Sequence, residues 1–218
     1  MKLHFSVDKT IVRAFFVMLC RLLTGVKAFW RTLPQPDRAT IYYANHSSHL
    51  DGLVIWASFP RALRNSVHPV AAADYWNKTA LRRYLATRIF NAILVERSSP
   101  ASAAKETVKQ RDPLQPLMEK LEQGHSLIFF PEGTRGFGDE VASFKSGLYH
   151  LTQRLPAVQL IPVWLENMNR VLPKGSRLVV PIICTATFGE PLPAVTDDET
   201  KKEFLDRARC ALEALAHD

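Results

Sequence analysis

The stretch Thr40-Ile41-Tyr42-Tyr43-Ala44-Asn45-His46-Ser47-Ser48-His49-Leu50-Asp51-Gly52-Leu53-Val54-Ile55-Trp56 runs from a strand-like apolar segment through a polar turn into a second apolar segment. It places an imidazole five residues before a carboxylate, at a strand-to-helix junction. On one continuous helix, side chains five apart point about 140° away from each other, since each residue turns roughly 100°. His46 and Asp51 therefore meet only if His46 lies in the turn and Asp51 in the first turn of the helix. A junction exposes a side chain that mid-helix packing would bury, which suits a general base and its orienting carboxylate. The same residues also fit a plain helix start, with Ser48 as N-cap and Asp51 at the positive end of the helix dipole. This stretch by itself leaves both readings open.

Working outward, strands and helices alternate. Strand patterns cover residues 40–44, 67–73, 92–97, 126–130, 158–165 and 178–188. Helical patterns cover 77–90, with Arg82, Arg83 and Arg88 on it, then 101–123 in two pieces interrupted at Pro113 and Pro116, then 147–154 and 199–217. Gly124 fits a helix C-cap after the second of these. Such alternation predicts an α/β fold: a single domain over residues 37–218 with a largely parallel mixed sheet flanked by helices.

Ahead of it, residues 1–36 read as an amphipathic helix and a linker. From 11 to 33 the sequence is apolar but punctuated by Arg13, Arg21, Lys27 and Arg31. On a helical wheel these four and Thr24 fall within a sector of roughly 120°. Ile11, Phe15, Met18, Leu22, Phe29 and Trp30 are among those on the broad opposite face. A purely basic narrow face and an aromatic and aliphatic broad one predict a helix lying in a membrane interface, its basic stems snorkelling toward headgroups. The plainer alternative is an amphipathic helix packed on the protein's own core. Leu33-Pro34-Gln35-Pro36 then stops the helix.

Composition narrows the classes. With 28 Lys and Arg against 21 Asp and Glu, the chain carries a formal net charge of +7. That surplus attracts nucleic acid, anionic lipid or phosphorylated small molecules without choosing among them. A hydrophobic fraction of 47% and a charged fraction of 22% are those of a globular protein. Cys20, Cys184 and Cys210 are far apart and without metal-ligand spacing, so neither a disulfide framework nor a metal site is expected. No apolar run reaches the roughly 18 residues that would span a bilayer, and no signal-peptide pattern opens the chain.

A second cluster follows the buried strand at 126–130. Phe130-Pro131-Glu132-Gly133-Thr134-Arg135-Gly136 puts an arginine and a glycine turn at a strand's carboxyl end, where open α/β sheets bind ligands. An arginine with turn N–H groups holds a phosphate well, although solvated charges on a plain turn would look the same in sequence. Arg97 and Lys145 also lie at or beyond strand ends. As a set, Arg97, Arg135 and Lys145 can converge with His46 on a phosphate-bearing substrate.

These blocks, with the strand Leu160-Ile161-Pro162-Val163, occur in the order that marks the glycerolipid acyltransferases, and the chain resembles that family, which includes 1-acyl-sn-glycerol-3-phosphate acyltransferases. The matching blocks run from about Asn45 to Val163. The resemblance implies that His46 is the general base and Asp51 orients it. It further implies that the second and third blocks, here Arg97, Glu132, Gly133, Thr134 and Arg135 with Lys145, bind the acceptor's glycerol and phosphate. Backbone N–H groups of Ser48 and His49 would stabilise the oxyanion, and Pro162 would mark the acyl-donor side. One departure is Asn91, where the family's second block has a glycine six residues before its arginine. Asparagine tolerates left-handed backbone, so the turn is expected to survive. No role carries over to the side chains of His49, His125 or His150.

The expected function is thus transfer of a fatty acyl group from acyl-CoA or acyl-carrier protein to a lysophospholipid hydroxyl, most simply 1-acyl-sn-glycerol 3-phosphate, giving phosphatidic acid. No cofactor beyond that co-substrate is implied. The expected partners are membrane lipids, on the cytoplasmic face of the inner membrane, and not nucleic acid. Another hydroxyl or amine acceptor, a lipid or thioester hydrolase, and a non-catalytic binding protein are the competing readings. The hydrolase reading is weakened because the chain has no Gly-x-Ser-x-Gly elbow.

Overall fold

Five β-strands run parallel through the middle of the computed structural model, which describes residues 3–96, 112–136, 140–171 and 182–217. In chain order the elements are α1 (Leu3–Thr24), β1 (Lys27–Trp30), β2 (Thr40–Ala44), α2 (Asp51–Ser58), β3 (Val67–Ala72), α3 (Ala73–Trp76) and α4 (Ala80–Tyr84). A π-helical turn, Leu85–Ile89, follows α4 directly. Then come β4 (Ile93–Val95), α5 (Gln115–Glu122), β5 (Ser126–Phe129), α6 (Gly147–Arg154), β6 (Gln159–Glu166), α7 (Met168–Val171), β7 (Thr185–Phe188) and α8 (Lys201–Glu213), with a closing 3₁₀ turn Ala214–His217.

The strands form one mixed sheet in the order β1-β7-β6-β2-β5-β3-β4. From β6 to β4 every pairing is parallel, while β7 runs antiparallel to β6 and carries β1 parallel beside it. The expected α/β fold with a largely parallel mixed sheet is the observed one. Alternation along β2 divides the core: Tyr42 and Ala44 face α1, α2 and α7, and Ile41 and Tyr43 face α5, α6 and α8. Because β2 is central and buried along its whole length, its carboxyl end delivers the next residues, Asn45 and His46, at the middle of the sheet's top edge.

The helix predicted over 11–33 ends earlier. Gly25 adopts a left-handed φ of +52° and donates to the carbonyl of Arg21 at 2.8 Å, which closes α1. The chain then pairs with β7, and Trp30 stacks on Phe188 with ring centres 3.5 Å apart. Residues 27–30 are therefore part of the sheet. The basic face also behaves differently from a snorkelling one. Arg13 donates to the carbonyls of Ile89 and Arg88 at the end of the π-helical turn, and Arg21 to that of Ala57 in the last turn of α2. These arginines satisfy carbonyls at the negative ends of two helices, so they hold α1 on the domain. The side turned outward is apolar: Ile11, Phe15, Met18 and Leu22, spaced along one stripe, are all exposed.

Asn91 has a φ of +57°, as the expectation for this turn required. Its side chain donates to the carbonyl of Asn65 at 2.9 Å, anchoring the bend before β4. Arg97, the first piece of the helix expected from 101, and the beginning of the strand expected from 178 lie outside the described residues.

Candidate active site

At the end of β2 the chain turns, and the turn is organised by one buried oxygen. Asp51 is fully buried, and its Oδ2 accepts the Nδ1–H of His46 at 2.8 Å and the backbone N–H groups of Ser47 and Ser48 at 2.7 and 2.8 Å. A carboxylate facing Nδ1 needs a proton there, so Nε2 of the neutral ring is the nitrogen with a free lone pair. Asp51 Oδ1 is buried without a partner among the described residues. The His46 side chain is 21% exposed and lines a cavity. Its ring stacks on Phe130 with centres 4.2 Å apart, which limits ring rotation.

The alternative reading of Ser48 as the N-cap of α2 does not hold. Leu50 occupies the N-cap position of α2 without a side-chain cap, and the Ser48 hydroxyl accepts from Leu50 N at 3.3 Å. Asp51 sits at the first position of α2 and reaches back to the turn instead. This also removes half of the expected oxyanion site, because the Ser48 amide is buried and bound to Asp51 Oδ2. His49 is exposed on the cavity side.

The third block reaches His46 from the neighbouring strand β5. Glu132, only 3% exposed, accepts His46 N–H on Oε1 at 2.7 Å and Ala142 N–H on Oε2 at 3.1 Å. Gly136 N–H donates to the His46 carbonyl at 2.8 Å. Glu132 was expected to contact substrate. With both oxygens on backbone donors in the interior, it is a clamp on the turn that carries His46. Burial raises its carboxyl above the ordinary range, and the two N–H groups oppose that shift.

Three of the remaining block residues, Gly133, Thr134 and Arg135, stay at the cavity and line it, while Lys145 is not among its lining residues. Gly133 has a φ of +69°, and the Lys145 side chain crosses directly over it, so a Cβ there would lie 2.9 to 3.0 Å from Lys145 Cδ, Cε and Nζ. Lys145 N–H is tied to the Pro131 carbonyl at 2.8 Å, which fixes where that side chain starts.

Pro162, expected to mark the acyl-donor side, is part of the sheet. It lies inside β6, buried and in register with Tyr43, and it is not among the cavity-lining residues. Its carbonyl accepts Gly189 N–H, on the side where pairing with β7 begins only at Val163. A proline fits there because the strand bond it cannot donate has no β7 partner.

The cavity has a volume of about 660 Å³. Its lining is mixed, with His46, His49, Lys78 and Arg135 among the polar residues and Phe16, Leu53, Leu85 and Phe90 among the apolar ones. Phe16 of α1 meets Phe90 edge to face at 5.3 Å. Sequence reasoning missed Phe130, Tyr75 and Phe16 as site residues. The position of Phe130 directly before the Pro-Glu-Gly turn was a usable signal, whereas the short α3 carrying Tyr75 has too few residues for a periodic pattern.

An imidazole with its ring oriented by a buried carboxylate thus sits just beyond the end of a parallel strand, on a cavity lined by Arg135, Lys78 and several apolar side chains. The acyltransferase family model matches residues 30–166, and the chain belongs to this family. It is 28% identical over 147 residues to the chloroplast 1-acyl-sn-glycerol-3-phosphate acyltransferase of Arabidopsis thaliana, covering 66% of this chain and 36% of that protein. It is also 28% identical over 175 residues to the 1-acyl-sn-glycerol-3-phosphate acyltransferase of Limnanthes alba, covering 78% of this chain and 54% of the relative. The chain thus spans about a third to a half of the length of these relatives. The crystal structure of the 1-acyl-sn-glycerophosphate acyltransferase PlsC of Thermotoga maritima shares the fold, with a TM-score of 0.66 at 20% identity over 98% of this chain and 83% of that one.

Proposed function

We propose that this chain transfers a fatty acyl group from a soluble thioester, acyl-CoA or acyl-carrier protein, to the free hydroxyl of 1-acyl-sn-glycerol 3-phosphate. The observation that carries this reading is the 2.8 Å contact between His46 Nδ1 and Asp51, which leaves Nε2 as the base in a cavity lined by both basic and apolar side chains. The acceptor hydroxyl gives its proton to Nε2 as its oxygen attacks the thioester carbonyl. The tetrahedral intermediate collapses with cleavage of the C–S bond, and the imidazolium returns the proton to the departing thiolate. Asp51 stabilises the imidazolium between these steps. No acyl-enzyme bond is required. Arg135 and Lys145, beside the Gly133 turn, hold the acceptor phosphate, and the apolar residues of the cavity lining take an acyl chain.

Both the acceptor and the diacyl product reside in bilayers, and no described helix is long and apolar enough to cross one. The exposed stripe Ile11, Phe15, Met18 and Leu22 therefore rests on the membrane surface, with α1 lying in the interface. Labelled acyl-CoA and 1-acyl-sn-glycerol 3-phosphate supplied to wild type and His46→Ala test the assignment. Phosphatidic acid formation is expected to fall by about 10³ or more in the variant, and unchanged transfer would sink it.

A further inference from the structure

His49 has no part in the reaction so far beyond its backbone, yet its side chain is set at the site. It is exposed, and it lines the cavity together with His46, Tyr75, Thr134 and Arg135. Its ring lies flat on Tyr75, with centres 4.7 Å apart and planes 22° from parallel. The Arg82 guanidinium lies 4.7 Å from the centre of the same Tyr75 ring. The imidazole is therefore supported on an aromatic platform near Arg135, one of the cations assigned to the acceptor phosphate.

The charged groups around it come from several elements. They are Arg135 from the third-block turn, His46 from its own turn, Asp51 from α2 and Arg82 from α4, with Asp74 and Lys78 lining the same cavity. Partial burial holds His49 below the ordinary histidine range, Arg135 and His46 push it further down, and Asp51 opposes them. The resting ring is thus neutral at pH 7. A dianion beside Arg135 reverses the local field, since an opposite charge within ~4–6 Å raises a base's pKa by roughly 1–3 units. The Tyr75 face accommodates both forms, stacking with the neutral ring and attracting the cation.

We propose that His49 selects the acceptor headgroup: when a phosphate monoester dianion enters the site, the imidazole on Tyr75 takes a proton from solvent and joins Arg135 as a cationic ligand. This favours a monoester, which is largely dianionic at pH 7, over a monoanionic phosphodiester. The inference rests on the acceptor-phosphate assignment above.

Two measurements test it. The first compares wild type and His49→Gln with 1-acyl-sn-glycerol 3-phosphate and with lysophosphatidylglycerol, a phosphodiester. At pH 7 the variant should show an approximately tenfold higher KM for the monoester, most of the change lying in KM and not kcat, and little change for the diester. At pH 9 the monoester difference should shrink to about twofold or less, because the ring then stays neutral. An equal KM increase for both acceptors at both pH values would mean that the side chain only shapes the site, and would overturn the proposal.

The second measurement needs no turnover. Calorimetric titration with glycerol 3-phosphate in two buffers of different ionisation enthalpy should show proton uptake by wild type and clearly less by His49→Gln. Equal uptake in both proteins, or no binding by wild type, would overturn the proposal. Uptake that depends on His49 in a protein that transfers acyl groups to neither lysolipid would support the phosphate-linked protonation while removing the assigned reaction.

Discussion

The carboxylate of Glu132 accepts the backbone N–H of His46 at 2.7 Å across a sequence separation of 86 residues. Two blocks that look like separate sites in the sequence are therefore one device, with β5 and its turn holding the end of β2. Removing the carboxylate in Glu132→Ala leaves two buried N–H donors without acceptors, a loss of about 2–4 kcal/mol. Glu132→Gln keeps one acceptor oxygen and should unfold at a higher temperature than the alanine variant. Its kcat should fall about 10- to 100-fold while KM for 1-acyl-sn-glycerol 3-phosphate moves less than threefold. Steady-state kinetics decide the matter: a rise in KM at constant kcat would mean that Glu132 contacts the acceptor after all.

Asp51 gathers three donors on one oxygen, and a neutral amide cannot reproduce that arrangement. In Asp51→Asn, either the amide NH₂ faces the donors or the His46 tautomer inverts, which places the proton on Nε2 and removes the base. Transfer is expected to drop by about 10³ to 10⁴. Proton NMR of the wild-type imidazole should show a hydrogen-bonded Nδ1–H resonance that the variant lacks. Activity within tenfold of wild type would show that Asp51 only orders the turn.

The parallel sheet and the β2-turn-α2 junction were legible because their signals are local. Strand alternation, the five-residue spacing of His46 and Asp51 and the left-handed tolerance of Asn91 all lie within short windows. What escaped depends on distant partners. The helical pattern of 11–33 continues through Lys27–Trp30, and those residues become a strand because β7, about 160 residues later, offers them an edge. Arg13 and Arg21 read as headgroup ligands, yet each finds carbonyls at a helix end that exists only in the folded domain. Glu132 reads as a ligand in a glycine turn, and its actual partners become visible only once β2 and β5 lie side by side. Pro162 carries a motif position, and its burial between Tyr43 and Gly189 keeps it from the cavity.

Gly133 combines a left-handed backbone with a lysine lying across it. In Gly133→Ala the methyl group strains the turn by about 1–2 kcal/mol and displaces the flexible Lys145 chain. If Lys145 serves the acceptor phosphate, KM for 1-acyl-sn-glycerol 3-phosphate should rise about 5- to 20-fold. Lys145→Met alone should reproduce most of that increase without the loss of stability. Paired melting curves and KM values for the two variants separate backbone strain from the missing charge, and an unchanged KM in Lys145→Met would remove it from the phosphate site.

The stripe on α1 tests the membrane reading without disturbing the fold. Deleting residues 11–33 would also remove β1 and the Trp30–Phe188 stack, so point changes are the cleaner probe. Met18 and Leu22 are 63% and 76% exposed, so Met18→Glu with Leu22→Glu should leave the melting temperature within about 2 °C of wild type. Each loses about 1–2 kcal/mol of apolar transfer into the interface, and co-sedimentation with vesicles containing phosphatidylglycerol should weaken by about 30-fold or more. Undiminished binding by the double variant would place the membrane contact elsewhere.

A histidine pair under the second-block turn gives stability an acid limit. His68 is 4% exposed, and its Nδ1 faces the Asn91 carbonyl at 2.8 Å, so that nitrogen carries a proton. Its Nε2 lies 2.6 Å from His125 Nδ1 and must accept from it, an arrangement possible only while His68 is neutral. Burial pushes His68 down to about 4, and His125 is also lowered, by burial and then by Lys120. A folded pKa below the unfolded value means that the stabilisation is present above pH 6.5 and is lost as pH falls from there toward 4. At 1.36 kcal/mol per unit, His68 contributes at most about 3 kcal/mol to this loss. His68→Asn keeps a donor near the Asn91 carbonyl and cannot titrate, so its melting temperature should be lower than wild type at pH 7.5 but fall less steeply between pH 6.5 and 4.5. Parallel slopes for the two proteins across that window would show that other groups set the acid limit.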